Sequence, residues 1–446
     1  MRIRSLGTLL AGIVLVAAAC GTSTSSAPVG SAPTTAPTTA PSAATPVVNL
    51  VLRYCWSGEG EVKAMEQIIQ AWNAKNPNVQ VRGISGSINV EQIAAAVAGG
   101  APPDMVITCN NEAIPGFAHD QVIQPMDDLL TQIGADTSNI IPASLEWVTY
   151  QGKLYGLPFL QDTWGFFWNT DAFTEAGLDP TKPPKTIDEL WIAAKALTKV
   201  KADGSIERAG FIPDYPGKNL TEFSQLFGCD YYAGDKVTIN SPACVTWFEW
   251  YKKWYDEYNQ KDALTKLVAS KGSEDEDLFY TGKVAMGLFG EWVPGKAYAP
   301  TFAPNLKYET APFPALSADT YGAGFVNGNA FFIPSGVKNA AEAAKFGMYL
   351  MTDDPSRVMA IQNASVPQLK SLVDDPALTG VAHFKTFLDI ANHPRTWTNP
   401  MISQWSQLKD GMDTALDGVL TGGASAQKVL DDLAAQIQAD IDANGP

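Results

Sequence analysis

The chain has 446 residues, of which 46% are hydrophobic and 17% are charged, and its formal net charge at neutral pH is −16. This length exceeds what one hydrophobic core usually organises, so we expect two folded domains of globular composition. The acidic balance, without a cluster of lysine and arginine, argues against a nucleic acid as partner.

The N-terminal segment has the features of a secretory signal. Residues 1–20 contain two arginines, an apolar run at 9–16 that is too short to span a membrane, and small residues before Cys20. The sequence Ala-Ala-Ala-Cys at 17–20 resembles a bacterial lipobox, which implies that Cys20 carries lipid; ordinary cleavage nearby would instead leave Cys20 as a spare thiol. Residues 21–46 are nearly all Ala, Pro, Ser and Thr, which predicts a semi-stiff tether.

Four cysteines follow the tether, at Cys55, Cys109, Cys229 and Cys244. In an exported protein an even number favours disulfides, with three possible connectivities. We favour Cys55 with Cys109 and Cys229 with Cys244, because each pair lies at matching ends of neighbouring predicted elements. Metal binding is the rival interpretation, but no C-x-x-C motif or paired histidine supports it.

The folded body begins with alternating strands and helices. Strands are predicted at 47–56, 79–84 and 105–108. One helix carries apolar residues at 62, 65, 69 and 72 and is stopped by Asn76-Pro77, and a second helix is predicted at 89–98. This order implies a parallel sheet with right-handed crossovers, in which ligands bind beyond the carboxyl ends of the strands. Trp56 and the Asn110-Asn111-Glu112 sequence follow two such strand ends.

The stretch 152–169, GKLYGLPFLQDTWGFFWN, has two halves of different composition. Its first half is an apolar run, its last residues are rich in aromatic side chains, and Gln161-Asp162-Thr163 lies between them. Polar residues have little reason to interrupt a core strand unless they meet water or a ligand. This stretch is predicted to cross between two lobes.

Further elements are marked by local signals. Thr186 and Glu189 form a capping box that predicts a helix at 187–200, and Ser241-Pro242 starts another helix. Turn residues at 233–235 predict a hairpin-like excursion. Apolar strands are predicted before Gly290-Glu291-Trp292 and after Asn327-Gly328, and an amphipathic helix at 426–441.

The ordered set of segments resembles the family 1 extracellular solute-binding proteins of ABC importers, which include sugar-binding lipoproteins. The matching segments are PDMVITCN, GKLYGLPF with WNTDAF, TIDELWIAAKAL, KVTINSPACVTWFEWY, GKVAMGLFGEW, NGNAFFIPSG and AEAAKFGMYLMTDDP. The resemblance implies an α/β, two-lobed, type II periplasmic-binding-protein-like fold, with each lobe a mainly parallel sheet flanked by helices. Lobe 1 would comprise 47–165 and 315–362, and lobe 2 would comprise 166–314 and 363–446.

A sugar presents apolar C–H faces and many hydroxyl groups, so its binder needs aromatic rings together with carboxylates and amides in one cleft. Each tryptophan alone could instead be core, and each polar residue a cap or a solvated surface group. The stacking candidates are Trp56, Trp164, Trp292 and Trp397; the hydroxyl-binding candidates are Glu59, Asn110, Glu112, Asp162, Glu291 and Asn327; Tyr215, in a proline-rich turn, is a further candidate. In the resembled family a tryptophan at the position of Trp292 stacks on sugar, and the lobe crossover gives Gly165 a hinge role.

The function expected from the sequence is therefore an extracytoplasmic, lipid-anchored receptor, a monomer that closes on a carbohydrate and delivers it to a membrane permease. We expect no cofactor, no metal and no catalysis, since no Gly-x-Ser-x-Gly, phosphate-loop or H-E-x-x-H motif is present. The alternatives are a binder of a polyol phosphate or a peptide, and a glycoside hydrolase or lyase that uses Asp162 and Glu291, whose separation the sequence cannot give.

Overall fold

The structure, a computed structural model, describes residues 46–446 except 87–89, 110, 259–260, 273–275 and 318–319. The predicted signal peptide, the tether, the lipidation site Cys20 and the candidate Asn110 lie outside the described residues. Within the described part of the chain, none of the helices combines the length and the apolar character that a membrane crossing requires.

The strands alternate with helices along most of the chain. The strands are β1 (Val48–Tyr54), β2 (Val79–Ser85), β3 (Met105–Thr108), β4 (Thr149–Tyr150), β5 (Lys153–Leu154), β6 (Leu157–Asn169), β7 (Lys199–Val200), β8 (Ile206–Phe211), β9 (Tyr232–Ala233), β10 (Lys236–Val237), β11 (Val284–Gly290), β12 (Tyr308–Ala311), β13 (Val326–Phe332) and β14 (Val366–Pro367).

The α-helices range from single turns to five turns. They are α1 (Glu59–Lys75), α2 (Val90–Ala98), α3 (Ile114–His119), α4 (Asp127–Gln132), α5 (Pro142–Glu146), α6 (Thr170–Glu175), α7 (Ile187–Leu197), α8 (Leu220–Ser224), α9 (Pro242–Tyr258), α10 (Lys261–Ala269), α11 (Ala299–Phe302), α12 (Ala340–Leu350), α13 (Asp353–Asn363), α14 (Pro376–Thr379), α15 (Phe384–Ala391), α16 (Trp405–Gly422) and α17 (Ala426–Asn444). Short 3-10 helices lie at Asn111–Ala113, Gln225–Phe227 and Lys370–Leu372.

One mixed sheet runs through the described body in the order β2-β1-β3-β13-β6-β11-β8-β7, with β12 and β14 also paired to β6. Strand β1 pairs in parallel with β2 and β3, as the alternation of strands and helices predicts. The pairs β13–β3, β13–β6 and β11–β6 are antiparallel. The sheet is therefore more mixed than the expected mainly parallel lobes, because β13 runs opposite to both of its neighbours, β3 and β6, and β11 runs opposite to β6.

Strand β6 joins the two halves of this sheet. Its first part pairs with β13, with Asp162 opposite Asn327, and its second part pairs with β11, with Trp164 opposite Gly290. The polar residues at 161–163 do not interrupt the strand, because their backbone groups belong to the ladder. The predicted crossover is a single strand of 13 residues.

Large hydrophobic clusters pack on the two sides of this crossover. One contains Leu52, Ile107 and Phe159, and another contains Phe166, Trp247 and Trp405. The cluster around Leu52 also contains residues between Leu369 and Phe384. The C-terminal part of the chain thus contributes to the first core beyond residue 362, so we propose placing that lobe boundary after residue 384.

Both favoured cysteine pairs are disulfides in the structure. Cys55 and Cys109, at the ends of β1 and β3, have Cα atoms 5.7 Å apart, and Cys229 and Cys244 have Cα atoms 4.6 Å apart. The hairpin between the second pair is formed by β9 and β10. The predicted helix at 187–200 ends earlier, at Leu197, since Thr198 is extended and β7 pairs with β8.

Candidate functional site

Polar side chains lie together on one face of the sheet where β6 meets β13. Because side chains alternate along a strand, Asp162, Asn327 and Asn329 project from the same face. The Asn329 amide donates a hydrogen bond to Asp162 Oδ2 at 3.3 Å. The Asn327 side chain is 9% exposed and its Oδ1 has no hydrogen-bond partner among the described residues. Two predicted site residues, Asp162 and Asn327, are therefore brought together.

Glu291 follows directly after β11 and is fully buried. The Thr163 backbone N–H donates to Glu291 Oε2 at 2.5 Å, and the Glu291 N–H donates to the Thr163 carbonyl at 2.9 Å. The other carboxyl oxygen, Oε1, has no partner within the described part of the chain. A buried polar atom without a partner is costly, so native proteins retain few of them.

A third carboxyl group, on Glu61, was not identified from the sequence. Glu61 is 3% exposed in the first turn of α1, where its Oε2 accepts from the Gly58 N–H at 3.2 Å. The Tyr298 hydroxyl donates to its Oε1 at 2.9 Å and so joins α1 to the segment after β11. The sequence did contain a sign of this role. Residues 61, 65, 68 and 72 share the buried face of α1, and Glu61 is the polar residue among these four.

Burial and a neighbouring carboxyl group raise the pKa values of Asp162 and Glu291. Burial raises the pKa of Asp162 from 3.8 to about 7, with a further contribution from the charge of Glu61. Burial, and then the charge of Asp162, raises the pKa of Glu291 well above its usual range. The cause is that an apolar environment disfavours the charged form and that like charges repel. Ionisation of Asp162 and Glu291 is therefore less favourable here than in a free carboxyl group.

Two tryptophans adjoin the carboxyl groups. The rings of Trp164 and Trp292 are 5.0 Å apart at an interplanar angle of 86°, which is an edge-to-face contact. Both are half-buried and line a cavity of about 230 Å³ together with Tyr280, Phe289 and Tyr298. The Trp164 indole nitrogen has no hydrogen-bond partner among the described residues. Aromatic faces and unsatisfied polar atoms are thus adjacent, as a sugar site requires.

A second polar junction lies at Glu112, which follows β3. Its carboxylate accepts from Lys409 Nζ at 2.6 Å, from the Asn399 amide at 3.2 Å and from the Trp405 indole at 3.3 Å. Burial raises the pKa of the neighbouring Glu222 to about 7, against the opposing charge of Lys409. Since α16 belongs to the other core cluster, Glu112 connects the two halves.

Two further candidates are buried away from this region. Trp56 is 7% exposed and packs against Phe159 in the first core, with ring centroids 6.1 Å apart. Tyr215 is 1% exposed, and its hydroxyl accepts the Leu278 N–H at 3.0 Å. Burial raises the Tyr215 pKa above its usual range. In this structure both rings serve packing.

The remaining candidates have different surroundings. Glu59 is exposed at the start of α1. Trp397 is half-buried; its backbone bridges to Phe325, its indole donates to the Thr221 carbonyl at 2.9 Å, and it also lines a second cavity of about 250 Å³ with Gln161 and Trp147. Gln161 projects from the face opposite Asp162, so this second cavity lies on the other side of the crossover strand.

Gly165 lies where the sheet is tightly packed. A Cβ atom at this position would lie 2.9 Å from the Phe387 ring and 3.3 Å from the Ala311 carbonyl oxygen. Close packing therefore requires glycine at this position, and this requirement is independent of any hinge role. The hinge itself stays a prediction.

Several residues at these junctions were missed because their partners are distant in the sequence. Glu222, Trp405 and Lys409 carry no local motif, and only the fold brings them to Glu112. The missed residues are Glu61, Glu222, Tyr298, Asn329, Asn399, Trp405 and Lys409. No group of three or more His, Cys, Asp or Glu side chains in the described residues could hold a metal ion.

The chain is similar to known transport proteins. The profile of the bacterial extracellular solute-binding proteins matches residues 56–355. A galactooligosaccharide-binding protein of Bacillus subtilis is 25% identical over 314 residues, which cover 68% of this chain and 69% of that protein. The sn-glycerol-3-phosphate-binding periplasmic protein UgpB of Shigella dysenteriae is 24% identical over 404 residues, which cover 84% of this chain and 89% of that protein.

A solved structure agrees with the fold. CpMnBP1 with mannotriose bound has a TM-score of 0.79 and 29% sequence identity, and the match covers 87% of this chain and 99% of that chain. The fold is therefore the two-lobed α/β type that the sequence predicted.

Proposed function

The chain belongs to the bacterial extracellular solute-binding proteins, which serve ABC transporters, and we propose that its solute is a carbohydrate. Such a protein binds a small molecule and pairs with permease subunits. The similar proteins differ in solute, since they include a mannotriose complex, a galactooligosaccharide-binding protein and an sn-glycerol-3-phosphate-binding protein. The choice between them depends on the chemistry of the site.

The charges of the site favour a neutral or cationic ligand over a phosphate. The charged groups that raise the pKa values of Asp162 and Glu291 are other carboxyls, and neither forms an ion pair with a described lysine or arginine. Phosphate recognition relies on arginine or lysine donors. Lys271, which lines the cavity, is paired with Asp277, and Lys409, at the second junction, is paired with Glu112. A phosphate would therefore have to compete with those carboxylates for the two lysines.

Aromatic rings and polar atoms without partners support a polyhydroxylated ligand. Trp164 and Trp292 offer ring faces, while Glu291 Oε1 and Asn327 Oδ1 can accept hydrogen bonds from hydroxyl groups. This combination, next to a cavity of about 230 Å³, is the observation that carries the proposal. Asp162, Trp164, Glu291, Trp292 and Asn327 are the proposed contacts.

Closure of the two halves on the ligand completes the proposal. Two hydrogen bonds join the halves beside the crossover strand. The Tyr298 hydroxyl donates to Glu61, and the Lys409 ammonium donates to Glu112. A ligand that touches both halves shifts the equilibrium toward closure by its higher affinity for the closed state. We propose β6 around Gly165 as one of the hinge strands.

We also propose a lipid anchor at Cys20. Multiple acyl chains would hold the protein firmly at the outer face of the membrane, whereas one chain binds only marginally. Replacement of Cys20 by alanine should release the protein into the medium, as measured by fractionation. Unchanged membrane retention would count against the anchor.

Intrinsic tryptophan fluorescence tests the proposed solute directly, because two tryptophans line the site. Manno- and galacto-oligosaccharides should change the emission with saturation, and sn-glycerol 3-phosphate should not. Saturable binding of the phosphate or of a peptide, with no response to any carbohydrate, would refute the proposal. Turnover of a glycoside during the titration would instead support the hydrolase alternative.

A further inference from the structure

Asp162 and Asn327 lie beside two tryptophans, in a region rich in hydrogen-bond acceptors and carboxyl groups. Resting on the proposed function, we infer that the carbohydrate carries a primary ammonium group, as an amino sugar does, and that Asp162 and Asn327 receive it. The inference starts from the charge of the site. Asp162 lies in the field of Glu61 and beside Glu291, and these groups oppose ionisation of one another. A ligand cation would relieve that opposition.

The hydrogen-bond inventory points the same way. Glu291 is fully buried with one carboxyl oxygen unpartnered, and Asn327 is 9% exposed with an unpartnered Oδ1. Asn329 donates to only one oxygen of Asp162. These atoms are acceptors when the acids are ionised, and an ammonium group supplies three donors where a hydroxyl supplies one. The site therefore matches an ammonium group better than a hydroxyl.

The aromatic rings favour the same group. Trp164 lies two residues after Asp162 and projects from the same face of β6, and its ring contacts that of Trp292. A cation within about 6 Å of a tryptophan face is attracted by the ring quadrupole. A quaternary ammonium group could bind against the tryptophan rings, but it has no N–H to donate to Asn327 or Asp162. A primary amine satisfies both.

Matched sugar pairs test this inference. Glucosamine with glucose, galactosamine with galactose, mannosamine with mannose, and the glucosamine β-1,4 disaccharide with cellobiose each exchange one hydroxyl for an amine. Isothermal titration of the full chain with both members should show at least one amine bound roughly tenfold more tightly than its hydroxyl partner, the scale of one strong interaction. The N-acetylated partner, which lacks the charge, should lose this preference.

Two variants locate the effect. Asp162→Asn should abolish the amine preference, so that the two members of each pair bind with affinities within about threefold of each other, whatever loss of affinity they share. Asp389→Asn, on the exposed surface of α15 in an ion pair with Lys385, is the matched control and should keep the preference. Thermal unfolding of both variants checks that they fold. Amine binding should also release up to roughly one proton, visible when the titration enthalpy is compared in buffers of different ionisation enthalpy.

The outcomes separate this inference from the proposed function. Neutral sugars that bind as tightly as their amines would overturn the inference and leave the proposed function intact. An amine preference that survives Asp162→Asn would also overturn it. If glycerophosphocholine binds and neither the amino sugars nor the neutral sugars do, the preferred ligand carries a quaternary ammonium group. Both the amine inference and the carbohydrate proposal would then be wrong.

Discussion

Trp292 is the residue on which the proposed stacking depends most. It is half-buried beside the cavity and touches Trp164, so its removal takes away both a ring face for the ligand and a wall of the site. We expect Trp292→Ala to weaken sugar binding by more than ~1 kcal/mol, the scale of an aromatic pair beyond area burial. Calorimetric titration measures the loss.

Trp191 supplies the control for that experiment. It is half-buried on α7, where Lys195 and Lys253 lie over its ring, and it is not among the residues that line the site cavity. Trp191→Ala should leave the affinity unchanged. Equal losses in both variants would mean that Trp292 acts through stability alone.

Asp162 makes stability depend on pH in a defined direction. Its pKa is raised from 3.8 to about 7, so the unfolded chain loses this proton near pH 4 and the folded protein keeps it until near pH 7. Between those values the folded state binds more protons, so the free energy of unfolding falls as pH rises and levels off above about pH 7. Thermal unfolding across this range should show a shallower fall in Asp162→Asn.

The exposed Asp389 again provides the comparison. Because Asp389 is exposed and paired with Lys385, Asp389→Asn should retain the wild-type fall in stability. A profile in Asp162→Asn that coincides with wild type would contradict the raised pKa. Glu291 and Glu222 remain in both proteins and account for the residual slope.

At the scale of elements, the two disulfides hold different lengths of chain. Cys55 and Cys109 are separated by 54 residues and Cys229 and Cys244 by 15. On the chain-entropy account these loops contribute about 4 and about 3 kcal/mol respectively. Replacement of each pair by alanines should lower the free energy of unfolding in that order, as measured by urea unfolding. The reverse order would show that contacts around the cysteines outweigh the loop term.

The crossover strand makes a second element-scale prediction. Gly165→Ala places a methyl group against Phe387 and the Ala311 carbonyl, and we expect a loss of roughly 1–3 kcal/mol from overpacking. Gly418→Ala, in α16 with no atom within 4 Å of the added Cβ, should instead gain up to ~1 kcal/mol. Equal changes in the free energy of unfolding for the two variants would show that close packing at Gly165 does not matter.

Local signals account for the elements that the sequence predicted well. Strand β3 has the predicted bounds, and the capping box at Thr186 and Glu189 starts α7 as expected. The end of α7 was missed because pairing of β7 with β8 overrides helix periodicity. Among the proposed contacts, Asp162 was predicted from its place in the crossover, and Glu291 and Trp292 from their position after an apolar strand. The junction of Glu112 with Lys409, in contrast, depends on residues 297 apart. No local pattern reports such a contact.

At the scale of the whole molecule, two cores share one sheet through β6, and polar junctions flank that strand. The contacts of Glu61 with Tyr298 and of Glu112 with Lys409 connect the halves directly. A ligand bound between the halves must therefore rearrange these contacts or add to them. We propose that this coupling gives the protein different surfaces toward a permease with and without its solute.

The most direct test of the central claim compares two solutes of opposite character. Isothermal titration of the full chain with mannotriose and with sn-glycerol 3-phosphate, under the same buffer conditions, measures whether the acidic and aromatic site selects sugar. We predict saturable, roughly micromolar or tighter binding of the oligosaccharide and none of the phosphate. Tight binding of the phosphate with no heat from mannotriose or any other carbohydrate would contradict the account.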